Sequence, residues 1–464
     1  MGTIILVVAA ILEAALTGYC IITKSRQIKI KSWVRIGSFG LFVLFTACSV
    51  IVWSFRWTML AAILLIMAIA GVLALVRKKE DAKKFRTVPA VFKAVVVWLL
   101  ILVSITPALI FPQHRSPAVT GSLKVETALF TFTDDSRKDP FENMGSSRKV
   151  TVEFWYPAGA GTGYPLVVFS HGAFGIMASN TSTYTDLASN GYVVCSISHP
   201  YHSLYCKDTD GKWTLVDRSF MREVIDVNNG VYSEKEIYEL ERKWMKVRTG
   251  DMNFVVDTIL DKAADTDSPE VFRKIDAGKI GLMGHSLGGA ASAQLGRERR
   301  DIGAVIDIDG GLLGEYIDFK DGLPVANPEA YPVPILGIFT DAMKQALASV
   351  EDTKAVIAEK QVFATAPEAF QVYFKGTNHM SVTDLPLVSP FLVDVINGTV
   401  QKNGGRQAAD RYEVIETMNR IILEFFDCYL KGKGSFQSAG AEHEKPRRPI
   451  AQRGFEPENS GCRY

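Results

Sequence analysis

The run Lys279-Ile280-Gly281-Leu282-Met283-Gly284-His285-Ser286-Leu287-Gly288-Gly289 restricts what this chain can fold into more than any other stretch. Apolar residues form a short strand that enters Gly-His-Ser-Leu-Gly, and the small residues Ala290, Ala291, Ser292 and Ala293 follow in helix-compatible order. A strand–turn–helix of this kind holds a serine in strained backbone and lifts its hydroxyl above the edge of a sheet. Side chains at Gly284 and Gly288 would collide with the neighbouring strand and helix. The pattern predicts Ser286 as a nucleophile and a mostly parallel sheet, with helices on both faces, around it.

A serine nucleophile needs a base, and the chain has seven histidines. In the α/β-hydrolase order the base comes last, on a loop after the final strand. Gln371-Val372-Tyr373-Phe374-Lys375 reads as that strand and Gly376-Thr377-Asn378-His379 as the loop, which selects His379. His285 sits inside the sharp turn, which points it away from the serine hydroxyl, and His443 lies in a Gly-, Lys- and Arg-rich tail. The acid is a choice of two. One strand ends Ile306-Asp307-Ile308-Asp309 and the next ends Ile338-Phe339-Thr340-Asp341. A carboxylate must stand at the strand's carboxyl end to reach the imidazole, so Asp307, further inside, is set aside. Spacing alone leaves both Asp309 and Asp341 standing.

Tyr164-Pro165-Leu166-Val167-Val168-Phe169-Ser170-His171-Gly172, then Leu187-Ala188-Ser189-Asn190-Gly191-Tyr192-Val193-Val194, then the Ser286 turn, together resemble the platelet-activating factor acetylhydrolase family. Glu153-Phe154-Trp155-Tyr156-Pro157 is similar to an early strand of that family, and the likeness covers about residues 120–430. It implies a serine esterase acting on short-acyl or oxidised phospholipid esters. In that family the acid follows the strand directly after the nucleophile's helix, so Asp309-Gly310-Gly311-Leu312-Leu313-Gly314, although shorter than the family pattern, points to Asp309. The presence of an acid at Asp341 is a departure that keeps it as the alternative. The family also implies an oxyanion hole built from the backbone N–H of Leu287 and that of Ala173, with Phe174 the neighbour it could be confused with.

The front of the chain is of another kind. The 464 residues are 48% hydrophobic, and their mean hydropathy of +0.12 is high for a purely soluble chain. The excess lies in four apolar segments at about residues 4–22, 36–53, 58–76 and 91–111, each reaching the roughly 18–20 residues that cross a bilayer as a helix. The first has no basic residue before it and no small-residue cleavage pattern after it, unlike a cleaved signal peptide. Lys24, Arg26, Lys29, Lys31 and Arg35 fill the first loop, and Arg77, Lys78, Lys79, Lys83, Lys84 and Arg86 the third. Positive-inside logic puts both loops in the cytoplasm and everything after Phe111 outside, making a multi-pass protein of the cell membrane with an extracytoplasmic catalytic domain. Trp53 and Trp57 read as interface anchors, Pro107 as a kink, and Glu13 as an intramembrane carboxylate, functional or merely paired.

A connector at residues 112–119 leads to the α/β-hydrolase domain, residues 120–430. Within it residues 203–245 break the strand–helix alternation and suit a lid or cap; a charged helical stretch from Ser233 to Arg248 and another helix near residues 248–262 follow. Tyr412–Leu430 reads as a closing amphipathic helix, and residues 431–464 as a disordered tail. His199 and His202 are weaker candidates for lining the pocket. Lys+Arg 51 against Asp+Glu 50 leaves no field for nucleic acid, and no dinucleotide fingerprint, phosphate loop or metal motif implies a cofactor or metal. The six cysteines read as free thiols, with a Cys195–Cys206 bridge the lesser alternative.

The combined expectation is a membrane-anchored serine esterase with Ser286, His379 and Asp309. The rivals are a broad carboxylesterase or polyesterase of the same fold, and a non-catalytic membrane sensor with a ligand-binding hydrolase domain.

Overall fold

The computed structural model describes residues 2–77, 85–142, 145–351, 357–399, 409–438 and 455–458. The chain forms two compact units, one comprising Met1–His114 with Val388–Phe391 and the other the remaining residues.

In the first unit α1 (Gly2–Ile22), α2 (Ile28–Ala47), α3 (Thr58–Val76) and α4 (Thr87–Val103) follow one another, and a break at Ser104 separates α4 from the short α5 (Thr106–Ile110). Among the described residues four helices are long and apolar enough to cross a membrane. The break falls just ahead of Pro107, whose ring is tolerated in a first helical turn but not in a helix interior. The second helix starts earlier than its apolar run: Lys29, Lys31 and Arg35 are helical, because long basic side chains favour helix and can reach past its end. Arg35 donates two hydrogen bonds to the Glu13 carboxylate, 2.7 and 2.8 Å long, so the acid of the first apolar helix is paired. Trp57 is buried, with its ring where a side chain at Gly2 would stand, and Trp53 is exposed. Of the basic loop expected near residues 77–86, positions 78–84 lie outside the described residues.

The second unit is built on β1 (Val125–Lys138), β2 (Ser147–Pro157), β3 (Tyr164–Ser170), β4 (Val193–Ile197), β7 (Ile275–His285), β8 (Ile302–Ile308), β11 (Ile335–Thr340) and β12 (Ala369–Phe374), with the small hairpins β5–β6 (Tyr205–Lys207, Trp213–Leu215) and β9–β10 (Tyr316–Lys320, Leu323–Ala326) outside the main sheet. The sheet order is β1-β2-β4-β3-β7-β8-β11-β12, and β4 through β12 run parallel. Alternate residues of each central strand serve opposite cores. Leu166 and Val168 face one, Val167 and Phe169 the other. Between strands come α6 (Thr181–Ser189), α7 (Arg218–Asn228), α8 (Glu234–Ala264), the single turn α9 (Glu270–Arg273) and α10 (Leu287–Glu298). Helices α8 and α10 cover one face. On the other lies the closing helix Arg411–Lys431, which buries Val414, Ile415, Met418, Ile421, Ile422, Phe425 and Phe426.

The stretch expected as a lid holds the β5–β6 hairpin, α7 and the start of α8. The two helices expected between Ser233 and residue 262 are one. Ser233 and Glu236 cap its start reciprocally, and Gly250, which costs about 1 kcal/mol in a helix interior, weakens it without ending it. Of the expected tail, residues 431–438 fold back: the Gln437 N–H donates to Glu424 on the closing helix, and Phe436 packs on Phe370 and Phe425. Residues 455–458 pair antiparallel with β12, and the others lie outside the described residues.

Candidate active site

Chain order reverses at β3. The next strand pairs on one side of it and β7 on the other, so the loops after β3 and β7 leave the sheet side by side at the switch point, where open α/β sheets bind ligands. Register puts Ser170, the last residue of β3, opposite Gly284. After β7, Ser286 takes φ +55° and ψ −126°, and its N–H is held by the Ile308 carbonyl at 2.8 Å. A side chain at Gly288 would strike the Ser170 carbonyl, and one at Gly284 the backbone of Gly288. The tight crossing of strand and helix therefore demands both glycines. Leu287 opens α10, so its N–H has no acceptor within the helix.

The acid loop follows β8. Asp309, at φ +52°, is 1% exposed, and its N–H bonds the Ile338 carbonyl at 2.7 Å. Its Oδ1 accepts from the Thr340 N–H at 2.7 Å and its Oδ2 from the Thr340 hydroxyl at 2.8 Å. Oδ2 also lies 2.7 Å from His379 Nδ1, and an ionised carboxylate is an acceptor only, so Nδ1 carries the proton and Nε2 is left with a lone pair. Burial works against this carboxylate, but the bonds from His379 and Thr340 hold it below the usual range. Asp341 instead opens the helix after β11 and turns to the next strand, accepting from the Gly376 N–H at 2.9 Å and from the Tyr373 hydroxyl. Asp307 is fully buried, accepts from the Gly310 N–H at 3.1 Å, and is pushed well up by burial and by the neighbouring Glu359 and Asp309. The structure thus brings Asp309, and neither of the other two, to the imidazole.

His285, set aside as the base, has a task of its own. Its Nε2 lies 2.9 Å from the His379 carbonyl oxygen, and the two rings stand 4.5 Å apart, so His285 props the base loop. Burial pushes it down to about 3, which keeps it neutral. Among the described residues no hydrogen bond joins the Ser286 hydroxyl to His379; such contacts commonly tighten only when substrate is bound.

The loop after β3 reaches the serine from the other side, with Gly172 against His285 and the Ser286 Cβ. Phe174 has φ +61°, and its N–H bonds the His202 carbonyl at 3.1 Å, which removes it as a donor to the site. The Gly175 N–H bonds the Gly172 carbonyl at 3.1 Å, and of Ala173, Phe174 and Gly175 only the Ala173 N–H has no acceptor among the described residues. His199 and His202, expected near the pocket, are 0% and 1% exposed and belong to a polar network beneath the loop. That network also contains Arg148, Arg248 and Asp251, none of which sequence reasoning singled out. The only trace of Arg248 and Asp251 in the sequence is charge at the inward positions of a helix, and Arg148 stands on strand β2. The described cysteines, Cys20, Cys48, Cys195, Cys206 and Cys428, are all free, and among the described residues no cluster could hold a metal ion.

A solved ferulic acid esterase from Streptomyces cinnamoneus overlays with a TM-score of 0.53 at 20% identity, covering 73% of this chain and 97% of that one, which is a likeness of fold. Curated relatives include the platelet-activating factor acetylhydrolases of Cavia porcellus, 22% identical over 61% of this chain and 62% of that protein, and of Canis lupus familiaris, 27% over 59% of each. A probable 1-alkyl-2-acetylglycerophosphocholine esterase of Arthroderma benhamiae is 28% identical over 34% of each chain. The chain thus spans about three fifths of the length of the mammalian relatives. The family described as platelet-activating factor acetylhydrolase, isoform II, matches residues 141–445, which takes in every strand from β3 to β12 and all the loops above. With that match over well more than half its length, the chain belongs to the platelet-activating factor acetylhydrolase family.

Proposed function

We propose that this protein is a membrane-anchored serine ester hydrolase whose substrates are phospholipid esters with short or oxidised acyl chains. The observation that carries the reading is the 2.7 Å contact of Asp309 with His379 Nδ1, on loops flanking a serine held at φ +55°. In the reaction, His379 Nε2 takes the Ser286 proton as Oγ attacks the ester carbonyl. Asp309 holds the ring and stabilises the imidazolium. The N–H groups of Leu287 and Ala173 receive the oxyanion, where one donor is worth about 3 kcal/mol. The intermediate collapses, the alcohol leaves with the proton from His379, and water then cleaves the acyl-enzyme by the same route.

The anchor is read from the first unit. Large apolar side chains such as Ile66, Phe92 and Val88 stand 66–80% exposed, an arrangement suited to lipid rather than water. Basic residues at positions 24–35 put the second unit outside the cytoplasm, beside the outer leaflet.

The full-length chain in detergent or vesicles should hydrolyse phospholipids bearing an sn-2 acetyl group and react with a fluorophosphonate probe, and Ser286→Ala should do neither. Equal labelling of both proteins would remove the assignment. Turnover of p-nitrophenyl esters of any length without phospholipid turnover would favour a broad carboxylesterase. Protease added to right-side-out vesicles should digest the second unit; protection until the membrane is opened would invert the topology.

A further inference from the structure

Beneath the Gly172–Ala173 turn lies a charge that the reaction above does not use. Arg248, on the inner side of α8, has no exposure to solvent. Its Nη1 donates to the His171 carbonyl at 2.6 Å and its Nη2 to the Gly172 carbonyl at 3.1 Å, an oxygen that also takes the Gly175 N–H and lies 2.7 Å from His171 Nδ1, so that only Arg248 bridges the two carbonyls. Its Nε donates to His202 Nδ1 at 3.2 Å, and the His202 ring stacks on Phe220 with centroids 3.8 Å apart.

A buried cation is costly unless its surroundings are arranged for it. Asp251, less than a turn further along α8, supplies the negative charge and is held ionised by Arg148, whose Nη2 donates to it at 2.8 Å. Because that carboxylate can only accept, His199 donates to it from Nδ1 at 3.2 Å. His199 Nε2 is then an acceptor and takes the Ser170 hydroxyl proton at 2.9 Å. The chain of bonds fixes Ser170, His199 and the carbonyls above them as one rigid piece.

A trans peptide is planar, so the oxygen of one residue and the N–H of the next point in opposite directions. The Gly172 carbonyl and the Ala173 N–H belong to one such unit. Whatever grips the oxygen therefore aims the N–H. We propose that Arg248 is the positioning residue of the oxyanion loop: by gripping the His171 and Gly172 carbonyls it turns the Ala173 N–H toward the Ser286 hydroxyl. This rests on the ester-hydrolase reading and deepens it. A cation at the carbonyl end of the peptide also polarises it and makes the N–H a better donor. Lysine is no substitute, since a point charge cannot bind two carbonyls and an imidazole nitrogen from one planar fork. Burial lowers the guanidinium to about 9, which leaves it charged at neutral pH.

The test compares p-nitrophenyl acetate with its thionoester, in which sulfur replaces the carbonyl oxygen. Sulfur is a weak acceptor and gains little from an oxyanion donor. In the full-length chain, Arg248→Lys should lower kcat for the oxygen ester on the order of 10²-fold with little change in KM. The thionoester rate should change little, so the oxygen-to-sulfur ratio falls with the oxygen rate. Equal loss on both esters would mean that Arg248 only supports the fold, and unchanged rates would equally overturn the proposal. Should Arg248→Lys not fold, His202→Phe keeps a ring on Phe220 while removing the acceptor for Nε. It should show the same fall in ratio at smaller size, and an unchanged ratio in it overturns the proposal. A wild-type chain inert to both esters would sink the hydrolase reading itself, and this proposal with it.

Discussion

Two loops meet at the switch point, one after β7 and one after β3, and they are held in shape by different means. The loop after β7 is fixed sterically: Gly284 and Gly288 let strand and helix cross so closely that no other conformation of Ser286 fits. The two glycines that permit this lie within five consecutive residues, although Gly288 clears the Ser170 carbonyl of β3. The loop after β3 also contains a non-glycine residue at positive φ, Phe174, but its shape is imposed from below by Arg248, His202 and the Ser170–His199 pair, drawn from up to 78 residues away. Backbone strain of about 1–3 kcal/mol per residue persists only where the surroundings over-determine it. The same strain can be imposed by local sterics or by a buried polar network, and only the first is written in a motif.

The acid loop after β8 puts this contrast at greatest risk, because Asp309 and Asp341 end neighbouring strands and look alike in sequence. Asp309→Asn should lower ester turnover on the order of 10⁴-fold while the protein keeps its melting behaviour, since His379 loses the acceptor that fixes its tautomer. Asp341→Asn, which loses only the Gly376 N–H and Tyr373 bonds, should cost about tenfold. The reverse ranking would mean that the working acid is not the one that touches the base here.

The glycines separate the two loops directly. Gly288→Ala drives a methyl into the Ser170 carbonyl, backbone against backbone, and should cost about 3 kcal/mol in a denaturant titration. Gly172→Ala places its methyl 3.0 Å from His285 Nδ1 and 3.1 Å from the Ser286 Cβ, a contact tight by a few tenths of an ångström rather than an overlap with backbone. It should cost little stability and about tenfold in turnover. Equal destabilisation by both substitutions would erase the distinction between the loops.

The smallest effect is a slope with pH. Burial, and then the charge of Arg248, lower His199 to about 4 in the folded protein against an ordinary 6.5. Between those values the unfolded chain binds a proton that the folded one refuses. Stability from this residue is therefore complete above about pH 6.5 and is lost as pH falls through about 4. His199→Gln should flatten the dependence of melting temperature on pH over that window, and an unchanged slope would mean that the network is not held together through a neutral His199.

Much of this was legible in advance where one short stretch carries its own physics. The Gly-His-Ser-Leu-Gly turn, the alternating apolar strands and the 3.6-residue stripe of the closing helix each needed only local sterics or periodicity to be read. So did the four apolar helices, whose length and composition meet the thickness of a bilayer. What sequence left open turns on where distant side chains meet. Thr340 and His379 converge on Asp309 and leave Asp341 to Tyr373 and Gly376. The His202 carbonyl takes the Phe174 N–H and leaves that of Ala173. Arg148 and Arg248 are balanced by Asp139 and Asp251, and with His199 and His202 they meet one another's hydrogen-bonding demands in the interior, where none could be buried alone. Sequence determines which segments form strands and helices, because those follow from neighbours a few residues apart. Which carboxylate meets the imidazole, which N–H is left without an acceptor and which arginine lies beneath the loop are decided by the tertiary structure, because a buried polar group is stable only once its partners, remote in the chain, have been brought to it.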